Sequence, residues 1–195
     1  GALSLLAAEK SGLLLDPEGP TYFLMEISVE RLNAWTEAVA QIRGVASGAL
    51  ARGEWTAQDS LRLAAPMGEL TTALTNAQRR AEALERSGEP RPAGWAEAQQ
   101  ATAGYVRQVQ ELAREGRTQA EAMGLFAAGT QVLDRLDQLH HGVDKRLGTL
   151  LDARIARLEQ ERNLSAGIAG AGVLLALYLF AAIRGSIRRA ARANR

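Results

Sequence analysis

Residues 164–183, LSAGIAGAGVLLALYLFAAI, form an unbroken apolar run without a charged residue. At about 1.5 Å rise per residue, a helix of this length covers the ~30 Å hydrocarbon core of a bilayer. Within lipid, such a single segment satisfies its own backbone amides only as a helix. Arg184, Arg188, Arg189, Arg192 and Arg195 follow the run with no acidic residue among them. Before it, Arg154, Arg157 and Arg162 are balanced by Asp152, Glu159 and Glu161. The positive-inside bias therefore predicts a transmembrane helix at 164–183, residues 1–163 outside, and a cytoplasmic basic linker over 184–195 that attracts membrane lipid.

The 195 residues suffice for one domain beside such a span. With the five terminal arginines set aside, 18 basic residues face 22 acidic ones, so the rest of the chain carries −4. That balance argues against nucleic acid as a partner, which would require a basic face. The chain has no cysteine, so disulfides, zinc–thiolate sites and thiol chemistry are excluded, and an exported domain must be held by its core. The opening ALSLLAAEK does not read as a signal peptide, because Glu9 and Lys10 interrupt its short apolar run. Export of residues 1–163 then implies a first membrane span upstream of Gly1.

Prolines and glycines divide the chain. DPEGP (residues 16–20) closes a short helical segment that ends in Leu13, Leu14 and Leu15, and residues 1–20 read as the end of an upstream helix plus this joint. Thr56 and Asp59 have capping-box spacing after Gly53, SGEPRP (87–92) reads as a turn, and Thr118 with Glu121 restarts a helix after Gly116. Pro66 falls inside the second helical segment and predicts a kink there.

Between these breaks apolar residues recur at threes and fours. The stripes are Met25, Leu32, Trp35, Val39, Ile42 and Ala46; then Leu63, Met67, Leu70, Leu74, Ala77, Ala81 and Leu84; then Trp95, Ala98, Thr102, Tyr105, Val109 and Leu112. The fourth runs through Phe126, Gly129, Leu133, Leu136, Val143, Leu147 and Leu150, with His140 in one core slot. Four narrow stripes on long helices predict an all-α antiparallel four-helix bundle, with helices over 21–50, 56–87, 93–115 and 118–163 and the last continuous with the transmembrane helix.

Three landmarks, in order, resemble bacterial transmembrane chemoreceptors (methyl-accepting chemotaxis proteins) and sensor histidine kinases. They are SGLLLDPEGPTYFLMEISVERL from Ser11, LFAAGTQVLDRLDQL from Leu125, and LGTLLDARIARLEQERN from Leu147 leading into GVLLALYLFAAIRGSI. The chain departs from that pattern at Gly19-Pro20 and at Asn33. The resemblance implies an extracytoplasmic helical sensor region over 21–163 in the bacterial inner membrane and a homodimer. It also implies a HAMP linker with a methyl-accepting or kinase module beyond Arg195.

Candidate chemistry is sparse. Asp16, Tyr22, Arg31 and Arg43 are the candidate residues for an unknown small-molecule or protein stimulus. A helix N-terminus near the joint could hold an anion and the arginines a carboxylate. Neither arginine has an acidic residue three or four positions away, so ordinary intrahelical pairing does not occupy them, although solvent alone can. Asp134, Asp137, His141 and Asp144 share a helical face, but a solvated acidic face with His141 against Asp137 explains them without a metal. His140 in the core register invites a pH-sensing role, against the commoner neutral, hydrogen-bonded histidine. Ala166, Gly167, Gly170, Ala171, Gly172 and Ala176 give small-xxx-small spacing for transmembrane packing. No phosphate loop, nucleophile elbow or histidine-based triad is spelled out, so neither catalytic residues nor cofactors are expected. The expected mechanism is mechanical, because Gly148 alone breaks the run of non-hinge residues between Val143 and Leu164, while a membrane-tethered helical scaffold with no sensing role would need the same stripes and the same anchor.

Overall fold

A computed structural model describes residues 19–115 and 119–193, with side chains for 19–114, 122–175, 177 and 178. Every described element is helical. The first helical run comprises α1 (Gly19–Glu26), a π-helical turn (Ile27–Leu32) and α2 (Asn33–Ala51). It is followed by α3 (Ala57–Arg86), α4 (Trp95–Glu115) and α5 (Gln119–Ala193), making four helices in all among the described residues. The chain divides into two units after Thr149.

In the first unit the first and third expected stripes lie in the core, and the second does so except at Met67 and Leu74, which are half-buried. Met25, Leu32, Trp35, Val39, Ile42 and Ala46 are all buried, as are Trp95, Ala98, Thr102, Tyr105, Val109 and Leu112. The two large indoles anchor it: the rings of Trp35 and Trp95 meet edge-on with centroids 5.9 Å apart. Trp35 Nε1 donates to Thr102 Oγ1 (3.1 Å), whose hydroxyl donates back to the Ala98 carbonyl (2.8 Å). A threonine therefore occupies a core slot because both of its polar roles are filled there.

The π-turn is a departure from the expected uninterrupted α-helix. Its i→i+5 geometry lets the buried set step from Ile27 to Leu32 and keep facing inward. The same spacing brings Glu26 and Arg31 together.

On α5 the buried stripe lies one residue away from the expected one at several positions. Leu125, Val132 and Leu139 are buried, whereas Phe126 is 49% exposed and Leu133 and His140 are only partly covered. Gly129, Leu136 and Val143 of the expected stripe are buried, and the differences lie on its flank, where His140 meets the Ser28 hydroxyl and the Phe126 ring packs against the Arg43 guanidinium.

Helix ends follow their local chemistry. Thr56 caps α3 by accepting from the Asp59 N–H (3.2 Å), and Asp59 Oδ2 accepts from the Thr56 N–H (3.0 Å) and hydroxyl (2.6 Å). α3 continues unbroken through Pro66, which is buried. At its far end Gly88 takes φ +92°, a left-handed conformation suited to glycine, in the turn that follows Ser87. Residues 1–18, including the Leu13–Leu15 segment, and Thr118 lie outside the described residues.

The second unit contains the α5 helix from Leu150 onward, with Ile155, Leu158, Leu164, Ile168 and Val173 exposed. Among the described residues no helix is long and apolar enough to cross a membrane. The expected inner-membrane placement, with residues 1–163 periplasmic and the C-terminus cytoplasmic, is corrected accordingly. Ala166, Gly167, Gly170, Ala171 and Gly172 are exposed, and the Ala176 side chain lies outside the described residues.

Trp35→Ala lowers the stability of the first unit by about 3–5 kcal/mol in chemical denaturation, because it removes a fully buried indole and the donor to Thr102 Oγ1. At the α3 cap, the Thr56 hydroxyl and N–H, then Arg52, hold the Asp59 carboxyl down at about 2. An unfolded aspartate titrates at about 3.9, so this stabilisation is complete above that pH and is lost as pH falls toward about 2. Asp59→Asn therefore gives a lower melting temperature at pH 7 and a flatter loss of stability through the acid range than the wild type.

Candidate functional site

Glu26 is the least exposed acidic side chain of the first helical run, at 7%. Two guanidiniums serve it. Arg31 reaches Oε1 across the π-turn, and Arg80 Nε from α3 binds the same oxygen at 2.8 Å. Arg31 also pairs with Glu30 at 3.0 Å. Glu26 thus ties the π-turn to α3 through a charge that would be costly if left alone.

Beside this network a cavity of about 670 Å³ opens between α2 and α3. Arg31, Ala34 and Glu37 line one side, and Gly68, Glu69, Thr72, Ala73 and Asn76 line the other. Small residues create the space: a Cβ added at Gly68 meets nothing within 4 Å. Thr72 spends its hydroxyl on the Gly68 carbonyl (3.0 Å), while Glu69 and Asn76 make no side-chain hydrogen bond or ion pair among the described residues.

Arg43 lies elsewhere. Its Nη1 donates to Thr130 Oγ1 on α5 (2.9 Å), and its guanidinium carbon sits 4.5 Å from the centroid of the Phe126 ring. Gly129 makes this possible, since a Cβ there would stand 2.9 Å from Arg43 Cγ and 2.9 Å from the Tyr105 hydroxyl. The FAAGT segment thus acquires a physical meaning. Phe126 offers its face to the cation, Gly129 clears the path, and Thr130 accepts the hydrogen bond. Tyr105 is buried, its hydroxyl has no partner among the described residues, and burial pushes its pKa up to about 12 despite nearby Arg43.

A third cluster joins the π-turn to α5. The Ser28 hydroxyl donates to Asp144 Oδ1 (2.5 Å), and His140 Nε2 lies 2.9 Å from the same Oγ. Asp144 Oδ2 is 4.0 Å from that ring nitrogen. Serine, histidine and aspartate meet here, but the carboxylate holds the serine instead of orienting the far ring nitrogen, so this is not a nucleophile–base–orienter arrangement. Further along, the bidentate Arg146–Glu89 pair (2.5 and 2.9 Å) fastens α5 to the turn after α3.

The four candidate stimulus residues therefore separate. Arg31 faces α3 and Arg43 faces α4 and α5, and they do not converge. Tyr22 packs edge-on against Phe23 with centroids 5.3 Å apart, and Asp16 lies outside the described residues. Among the described residues no group of three or more acidic or histidine side chains is placed to hold a metal. His141 instead approaches the Asp137 carbonyl (2.9 Å), and that carbonyl, then the Asp137 carboxylate, raises its pKa. Sequence reasoning missed Glu26, Glu37, Glu69 and Asn76. The five-residue Glu26–Arg31 spacing is the one available signal, and only a π-turn makes it meaningful.

Set against protein-family models, curated proteins and solved structures, the chain matches none.

Glu26→Gln leaves two partly exposed guanidiniums without their shared carboxylate. It lowers stability by about 1–3 kcal/mol, below the fully buried range because both arginines reach solvent. Urea denaturation of the variant beside the wild type measures the difference.

Proposed function

We propose that this chain is a sensor bundle of a signalling receptor, an antiparallel four-helix bundle that hands a packing change along α5 to an output module. The observation that carries this reading is the double fastening of the first helical run to α5. Ser28 meets His140 and Asp144, and Arg43 meets Thr130, so residue numbers rise on one helix as they fall on the other. Both fastenings are polar contacts on the helix that runs to Ala193. Polar contacts of this kind can exchange partners at less cost than a repacked core.

The resemblance to chemoreceptors and sensor histidine kinases supports the same reading, and its FAAGT landmark is one of the two fastenings. Arg43, Phe126, Gly129 and Thr130 together set the register of α5. A stimulus acts by favouring one of two registers, and its effect is limited by its differential affinity for them. The output is a methyl-accepting module or a histidine kinase. Two copies of the chain assemble around it.

The test places this chain ahead of a chemoreceptor output module and compares kinase activity. Gly129→Ala drives a methyl group into Arg43 and Tyr105 and shifts output by about fivefold or more, the lower range of allosteric coupling. Gly142→Ala, where a Cβ meets nothing within 4 Å, leaves output unchanged. Equal output from wild type and Gly129→Ala contradicts the reading.

A further inference from the structure

The cleft between α2 and α3 has a charge opposite to the one its arginine suggests. Arg31 is already committed to Glu26 and Glu30, and Arg80 adds a second guanidinium to Glu26. Two further carboxylates line the cavity without a cation. Glu37 accepts only from Gln41 (3.0 Å), and Glu69 has no partner among the described residues. Around the network and cleft, four carboxylates thus face two guanidiniums.

The remaining lining sets size and shape. Ala34, Gly68 and Ala73 give a small-residue floor without aromatic rings, and the Asn76 carboxamide is free to accept or donate among the described residues. The volume of about 670 Å³ admits a small organic molecule. An anion would meet two unpaired carboxylates there, whereas an ammonium group would find charge-assisted acceptors.

We propose that this cleft binds an organic ammonium ion with a short aliphatic body, its nitrogens held by Glu37 and Glu69 and its chain lying over Ala34, Gly68 and Ala73. The assignment supplies a stimulus chemistry for the sensor and rests on that reading only for the consequence of binding. Because the cleft joins the first helical run to α3, an occupant would bear on the same run that is fastened to α5.

The probe is butane-1,4-diamine, doubly protonated at pH 7, titrated into the full chain by calorimetry at 0.15 M salt on the order of physiological ionic strength. Succinate, of equal chain length and opposite charge, is the control. The diamine binds, succinate does not, and Glu37→Gln or Glu69→Gln weakens diamine binding about tenfold, as loss of one charge-assisted hydrogen bond requires. Gly68→Leu fills the cleft while keeping both carboxylates and abolishes binding, with circular dichroism and thermal melting confirming that the variant folds. The proposal is overturned by the absence of diamine binding, by binding that survives Gly68→Leu (general attraction to an acidic surface), or by succinate binding that requires Arg31. The last result would replace the ligand class and leave the sensor reading standing. Failure of the Gly129→Ala output test would remove the sensor reading without touching the binding result.

Discussion

Burial of the first helical run on several sides is the constraint on which the first unit depends. Residues 19–51 place Leu24, Met25, Ile27, Leu32, Trp35, Val39, Ile42, Ala46 and Leu50 in the core. The same run meets α3 through Glu26 and Arg80, α4 through Trp35 with Trp95 and Thr102, and α5 through Ser28 and Arg43. A helix buried this widely cannot slide or turn without disturbing each neighbour, because close-packed interiors shift between discrete arrangements.

The polar contacts divide the labour with the apolar core. The core supplies most of the stability but little directional information, since alanine and leucine stripes tolerate small shifts. Glu26 with its two arginines, the Ser28–His140–Asp144 cluster and the Arg43 clasp each require one alignment of two helices. They define register. The π-turn matters in this respect because it brings Glu26 beneath Arg31 in the same segment that carries Ser28.

Much of this architecture is legible in the sequence. Hydrophobic period, Thr56 with Asp59 and the 87–92 turn locate the helices to within a few residues, because capping and burial are local or periodic effects. The differences have physical causes. An aromatic ring normally seeks the core, which draws the expected α5 stripe through Phe126, yet this ring lies against Arg43 at 4.5 Å. His140 matches a core slot by spacing and instead turns to the edge, where Ser28 satisfies it. A π-turn costs the pattern a single residue, so the Glu26–Arg31 pair escapes a search at threes and fours. The cleft residues on α2 and α3 are distant in sequence and only the tertiary contact brings them together. The apolar run at 164–183 suggests a bilayer crossing, which the described helices do not support.

Ser28 and Arg43 hold α5 in one register against the first helical run, and the proposed signalling depends on that hold. Pulsed electron spin resonance measures it directly, since the chain has no cysteine and labels attach only where cysteines are introduced. Exposed Gln41 on α2 and Gln131 on α5 are suitable sites. The expected result is one narrow distance distribution in the wild type, and a broadened or second distribution once Ser28→Ala and Arg43→Ala are combined. An unchanged narrow distribution in the double variant would contradict the role given to these two residues.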